Sequence, residues 1–278
     1  MTTKAGSYAV NTYAYTMSHS AEACLEHLAT SGHNTFELMM YPGHAWPGTM
    51  SVAARSNFLR FLDRRDLRVV SLNMPNIDIN VAGVTEEMRR YSLAMLESFV
   101  RLAGDLEVPG VVVGPGKANP LFPAPQEQLV GYFFKALDVL APIAAEVGTA
   151  LWVENMPFAF LPRADQMMQA IERHGDPRIG VVYDLANGAF VKESPGEGLR
   201  RVKERLSLIH LSDTPLDVYR HAPVGEGVVA FADAVPVLRE IGYAGPSILE
   251  IISNTPDRDI ADSVEGLKAV GWGGVARP

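Results

Sequence analysis

Seven polar side chains stand where short apolar runs end or are interrupted, and their types suit metal and proton chemistry. Glu154 and Asn155 follow Leu151-Trp-Val153, Asp184 closes the run 179–184, and His210 lies in Ile209-His-Leu-Ser-Asp213. Glu250 sits between Leu249 and Ile251, Glu37 falls inside the run 35–40, and Asn73 ends the run 68–73. A carboxylate flanked by aliphatic residues in a buried strand is costly unless it is paired or bound to a cation. Taken singly, a glutamate at a strand end is commonly a salt-bridge partner, and a histidine in an apolar run a hydrogen-bonded core residue. Glu154, Asp184, His210 and Glu250 fall one to a strand, at matching ends of four consecutive strands. Three carboxylates and one imidazole brought to a point make a site for one divalent cation.

The elements that must position them alternate along the chain. Apolar, β-branched runs occupy residues 8–16, 35–40, 68–73, 110–113, 150–155, 179–184, 206–211 and 247–252. Consecutive apolar residues, as in Val111-Val-Val113, suit parallel strands buried on both faces. Stretches with helical period lie between them, at 20–30, 51–64, 85–103, 126–147, 164–174, 197–204, 231–241 and 257–270. Thr85 followed by Glu86 and Glu87 reads as a capped, acidic first turn. Gly104 and Gly148 stand where helices are expected to stop. Eight strand–helix pairs in 278 residues leave about 35 residues per unit, the scale of a (β/α)8 TIM barrel. A doubly wound sheet carries a Gly-x-Gly-x-x-Gly turn after its first strand, and this chain has none. The pattern predicts an α/β fold: one TIM barrel domain over residues 1–278, with its active site at the C-terminal ends of the strands. The cluster Asn119-Pro-Leu-Phe-Pro-Ala-Pro125 reads as a loop.

Composition narrows the function. The net charge is −8, which is wrong for a protein that neutralises phosphates with clustered Lys and Arg, so no nucleic-acid partner is expected. The single cysteine, Cys24, cannot form an internal disulfide, which points to a reducing, cytoplasmic location. No apolar run reaches the roughly 18 residues of a membrane span. Residues 1–15 hold no continuous apolar core of a signal peptide. The sequence leaves a homo-oligomer open.

Four segments carry a family resemblance: Trp152-Val-Glu-Asn155, Val182-Tyr-Asp-Leu-Ala-Asn187, Ile209-His-Leu-Ser-Asp213 and His221-Ala-Pro-Val-Gly-Glu-Gly227. In order and spacing they resemble the xylose-isomerase-like barrel superfamily, in its sugar phosphate isomerase/epimerase branch. The resemblance runs from Asn34-Thr-Phe-Glu-Leu38 to Ile248-Leu-Glu-Ile251. It implies Glu154, Asp184, His210 and Glu250 as ligands of one divalent metal ion; three carboxylates and one histidine are compatible with manganese, the first choice, with zinc next, and with magnesium or cobalt. It also implies Glu154 and Glu250 as the acid/base pair of a sugar, sugar phosphate or keto-polyol isomerase or epimerase working through an enediolate. Two carboxylates on opposite faces of a substrate can take a proton from one side and return it on the other, while a cation stabilises the charge on the substrate oxygens.

The alternative on the same scaffold is a lyase or dehydratase of a keto-polyol or cyclic keto-acid, which expels a β-hydroxyl after the same proton abstraction. A more distant one is an apurinic-endonuclease-type nuclease. That three-zinc branch has Asp before its Arg-His pair and His three residues after the strand-six Asp, where this chain has Tyr219 and Asn187. The ketose 3-epimerase subgroup also has His at the position of Asn187. A catalytically silent sugar-binding barrel is the remaining reading. Glu37, Asn73, Asn187, Asp213, Arg220 and His221 are expected to contact a small-molecule sugar or polyol. Asp213 has the alternative roles of orienting His210 or capping a turn. Asn155 is expected to brace Glu154, and Trp46 and Phe158 to wall the pocket or pack their loops.

Overall fold

The computed structural model describes residues 8–75 and 78–273; the expected single domain over 1–278 extends past these at both ends. Eight parallel strands close a barrel in chain order, β1-β2-β3-β4-β5-β6-β7-β8. They are β1 (Ala9–Asn11), β2 (Thr35–Met39), β3 (Arg68–Asn73), β4 (Gly110–Val113), β5 (Ala150–Glu154), β6 (Gly180–Asp184), β7 (Leu206–Leu211) and β8 (Ser247–Leu249). β8 returns to β1 through Ala9↔Ile248 and Val10↔Leu249, which removes every open edge. The expected (β/α)8 barrel is the architecture found.

The outer layer is formed by α1 (Ala21–Thr30), α2 (Val52–Arg65), α3 (Glu86–Asp105), α4 (Gln126–Val147), α5 (Ala164–His174), α6 (Leu185–Phe190), α7 (Pro195–Val202), α8 (Phe231–Glu240) and α9 (Pro256–Ala269). Ser20, Ser51 and Thr85 cap α1, α2 and α3 by accepting backbone N–H bonds, as their side chains should at a helix start. Apolar helix faces pack on the outer faces of the strands in one large cluster that includes Leu25, Phe58, Phe99, Phe133 and Ile171. A second, smaller cluster of Ala9, Val112, Val182, Leu208 and Ile248 fills the barrel interior, with Trp152 packed against it.

That inner plug fixes the polar layer. Strand side chains repeat with a period of two. The residues two steps on from Ala9, Trp152, Val182, Leu208 and Ile248 are Asn11, Glu154, Asp184, His210 and Glu250. The register carries them side by side, with Asn11 opposite Glu37 and Asp184 opposite His210.

Several element bounds shift by a residue or two from the sequence reading, and four differences bear on the site or its packing. β1 stops at Asn11, where the Asn11 side chain accepts from the Tyr13 amide and a 3-10 turn follows. β8 stops at Leu249, although Glu250 still donates its amide to Leu211 and Ile252 to His221. α6 was not expected: Asp184 ends β6 and at once caps the helix, accepting from the Asn187 amide at 2.7 Å. Gly104 lies inside α3 and does not stop it. A Cβ there would stand 2.4 Å from Val147 Cβ and 2.9 Å from the Val147 carbonyl, so the glycine permits α3 to approach the end of α4. Gly148 does end α4, in the left-handed conformation at φ 78°.

Gly104→Ala separates these two roles. Helix propensity alone would stabilise the protein by about 1 kcal/mol. The clash with Val147 is expected to dominate and to cost about 1–3 kcal/mol in denaturant unfolding. A gain in stability would show that α3 and α4 can part freely.

Candidate metal and active site

Four donors meet above the barrel plug. Glu154 at the end of β5, Asp184 at the end of β6, His210 on β7 and Glu250 just past β8 each place one ligand atom within 4.8 Å of the others. His210 Nδ1 lies 2.9 Å from Glu154 Oε1, 3.1 Å from Glu250 Oε2 and 3.8 Å from Asp184 Oδ2. All four residues are buried. Asp184 Oδ2 and Glu250 Oε2 have no hydrogen-bond partner. Buried carboxylate oxygens are rarely left so, and orphaned oxygens aimed at a shared point fit a cation. This hard-oxygen and imidazole set suits manganese, magnesium, cobalt or zinc.

The electrostatics agree. Burial pushes the Glu154 carboxyl up to about 7, the Glu250 and Glu37 carboxylates add to this, and His210 opposes it. Burial likewise pushes Asp184 up to about 7, reinforced by Glu154 and Glu250 and opposed by His221 and His210. Burial disfavours the charged form of His210, yet Glu37, Glu250 and Glu154 together outweigh it and raise the imidazole well above its usual range. Glu250 is held below the usual range because His210 and His221 outweigh its burial. Carboxylates crowded in low dielectric either keep protons or share a cation.

A second ring of polar groups holds the first. Glu37 stands behind His210, with Oε1 2.9 Å from Nε2, a close contact that lacks hydrogen-bond alignment. Its carboxylate accepts from Asn11, Ser71 and Asn73 at 2.6, 2.7 and 3.1 Å. A carboxylate behind a ligand histidine commonly fixes which ring nitrogen faces the metal. Asn11 and Asn73 also reach Glu250 Oε1 at 3.2 and 3.4 Å, tying the two glutamates through shared amides. Asn155 does not brace the Glu154 carboxylate: its side chain pairs with the Asp184 backbone, donating to the carbonyl and accepting from the amide. The reason is register, since Asn155 points away from the barrel interior that Glu154 enters.

The sequence-derived contact residues divide into two groups. Asn73, Asn187 and His221 line a cavity of about 580 Å³ together with Glu154 and Glu250. Asn187 donates to the Asn155 carbonyl and, at 3.5 Å, to Glu154 Oε1, while His221 Nδ1 stands 3.4 Å from Glu250 Oε2 and 3.0 Å from Ser212 Oγ. Glu37, Asp213 and Arg220 are not among the cavity-lining residues. Glu37 serves the second ring. The Asp213 carboxylate accepts the Thr214, Gly225 and Val229 amides, so it clamps the loop between β7 and α8. Arg220 is exposed and donates its amide to Thr214. Phe158 reaches the cavity, whereas Trp46 packs edge-on to Phe99 elsewhere.

Tyr219 is the main site residue that sequence reasoning left without a role. Its hydroxyl bridges Asn187 Oδ1 and His221 Nε2, and its ring meets Phe158 and Phe190 edge-on, each at 5.3 Å. The signal lay in the departure already noted, because a tyrosine and an asparagine replace two metal ligands and bond to each other. Asn11, Ser71 and Ser212 gave no signal, being short polar residues in strands or turns. Tyr13 and Lys117 also line the cavity.

A profile of the xylose isomerase-like TIM barrel family matches residues 25–270, and the chain belongs to that family. Among curated relatives, Uncharacterized protein MJ1311 of Methanocaldococcus jannaschii is 25% identical over 74% of this chain and 71% of its own length. L-ribulose-5-phosphate 3-epimerase UlaE of Salmonella paratyphi A is 38% identical over 50% of this chain and 48% of its own, so the chain spans about half of that relative. A D-tagatose 3-epimerase-like protein has the same fold, with a TM-score of 0.81 at 22% identity over 95% of this chain and 96% of its own. The IOLI protein, solved with a bound zinc atom, superposes with a TM-score of 0.77 at 16% identity over 95% and 96%.

Metal uptake is expected to displace protons. Glu154 and Asp184, both pushed up to about 7, must ionise and His210 must free Nδ1. Affinity for manganese or zinc should therefore fall by roughly tenfold per displaced proton for each pH unit below about 7. Calorimetric titration of the metal-stripped protein from about pH 5 to 8 reads this directly. An affinity flat across that range would remove these carboxylates from the ligand set. In parallel, His210→Ala should lower the metal content per chain, measured by elemental analysis.

Proposed function

We propose that the chain, acting as one domain over residues 1–278, is a divalent-metal-dependent isomerase or epimerase of a small sugar, sugar phosphate or keto-polyol. The observation that carries this is the pairing of Glu154 and Glu250. Both line the same cavity, both stand within 3.1 Å of His210 Nδ1, and both belong to a set of four donors able to hold one cation. Manganese is the first choice of ion and zinc the second. When bound, the ion supplies Lewis-acid stabilisation to charge developing on the substrate oxygens.

The chain's own residues do the rest. One glutamate takes the proton from the carbon beside the substrate carbonyl. The other returns a proton to the opposite face for epimerisation, or to the neighbouring carbon for isomerisation. Asn11 and Asn73 hold Glu250, and Asn187 approaches Glu154, so each carboxylate keeps its aim while its charge changes. Tyr219 and His221, hydrogen-bonded to each other, line the same cavity beside the two glutamates. The epimerase names of the UlaE relative and of the D-tagatose 3-epimerase-like neighbour support the same class.

The Tyr219–Asn187 hydrogen bond weighs against the nuclease reading, because it occupies the two positions where the three-zinc branch has Asp and His. The net charge of −8 supports the same reading, a sugar enzyme of the cytoplasm without nucleic-acid partners. Among the described residues, no helix is long and apolar enough to cross a membrane.

The test is proton exchange between solvent and ketopentoses or ketohexoses, free and phosphorylated, in deuterated water. Exchange is expected with wild type and is lost on chelation. Glu154→Gln and Glu250→Gln should each slow it by about 10²–10⁴-fold with the barrel still folded by circular dichroism. Wild-type rates in both variants would falsify the acid/base assignment. An ultraviolet-absorbing enone product in place of an epimer would assign the lyase reaction instead.

A further inference from the structure

Lys117 is the one lysine or arginine among the described residues that line the cavity. It ends the segment Gly114-Pro-Gly-Lys117, in the loop that follows β4. Its place differs from that of the four donors. Val113, the last residue of β4, pairs with Val153, and Glu154 is the next residue of β5. Lys117 lies four residues beyond Val113, among the loops. Its charged neighbour is Asp78, on the loop between β3 and α3, and neither Glu154 nor Glu250 acts on it. The cavity therefore holds its carboxylates and its lysine ammonium apart.

The loop is built to hold that lysine. The Asn80 side chain accepts the Lys117 amide at 2.9 Å, donates to the Lys117 carbonyl at 3.0 Å and accepts the Ala82 amide at 3.0 Å. Gly116 turns the chain at φ 98°, and its carbonyl accepts the Phe160 amide at 3.0 Å. A Cβ on Gly116 would lie 2.8 Å from Ala82 Cβ and 2.9 Å from Asn80 Oδ1, so glycine is what lets the segments meet. The loops after β3, β4 and β5 are thus joined at the base of one side chain.

The charge is the costly part. Lys117 is half-buried, and burial lowers its proton affinity. Asp78 opposes this and favours the ammonium form. Asp78 is exposed and is not among the cavity-lining residues. Water screens an exposed carboxylate, whereas a ligand inside the cavity meets the ammonium with much of that water removed. A neutral hydroxyl needs no charge held against burial, and a lysine ammonium is a point charge suited to oxyanions. At about 580 Å³ the cavity is large enough to enclose a small ligand whole, so both ends can be engaged at once.

We propose that Lys117 recognises an oxyanion, a phosphate or a carboxylate, carried by the keto-sugar or keto-polyol at the end remote from the reacting carbons. The inference rests on Glu154 and Glu250 marking the reacting end.

The test uses D-fructose, D-fructose 6-phosphate and D-fructuronate, which differ only at the terminal carbon: alcohol, phosphate ester or carboxylate. Calorimetric binding to the manganese-loaded wild-type protein is expected to favour one of the two anions over fructose by about 10–100-fold, the scale of hydrogen bonds to charged groups. Stronger binding of the phosphate assigns a sugar phosphate, and stronger binding of the fructuronate a sugar acid. Lys117→Met should erase the preference and Lys117→Arg should restore most of it. Both variants should keep the wild-type circular dichroism, because the loop is held through its main chain. Equal binding of all three compounds, or binding of none, overturns the proposal. So does an anion preference that survives Lys117→Met, since the anion would then be held at the four-donor end. Deuterium exchange on the same compounds is read separately. A preference that depends on Lys117 without exchange supports the lysine's role and sinks only the acid/base reading.

Discussion

Three buried carboxylates pointed at one imidazole nitrogen are the constraint on which the rest of this structure depends. Glu154, Asp184 and Glu250 crowd His210 Nδ1, while Glu37 presses on the other ring nitrogen. Like charges at such separations in low dielectric repel strongly. The fold tolerates them because each is attached to a different strand of a closed barrel, whose hydrogen-bonded ladder prevents them from moving apart. Burial first, and then this repulsion, raise the proton affinities of Glu154 and Asp184, and the same crowding is what a shared cation would relieve.

The second ring makes this arrangement specific. Asn11, Ser71 and Asn73 donate hydrogen bonds to Glu37, and the two asparagines also reach Glu250. Neutral amides suit this work: they satisfy carboxylate oxygens without neutralising the charge that attracts a metal. On the far side, Asn155 pins the Asp184 backbone and Asp184 caps α6. One Asp184 oxygen is thus spent on the helix and the other, Oδ2, is left to the centre. The short helix α6 is part of the site's geometry, since it carries Asn187 to Tyr219 and Glu154.

Much of the centre was legible in the linear sequence, for a physical reason. Strand side chains alternate, and a carboxylate two residues past an inward apolar residue has to enter the barrel. Glu154, Asp184, His210 and Glu250 stood out because each interrupted an aliphatic run that nothing else would interrupt. The eightfold repeat of strand and helix likewise follows from local pattern and needs no long-range information. What the sequence could not decide was which polar residues near a strand end turn inward and which hold a loop. Asp213 read equally as a site residue or a turn cap, and it clamps three loop amides; Arg220 read as a ligand contact, and it faces solvent. Glu37 looked like a sugar contact and lies behind His210. Gly104 looked like a helix stop, and only the approach of Val147 shows its use. These outcomes depend on which distant segments meet, a property of barrel closure and loop path that local residue spacing does not encode.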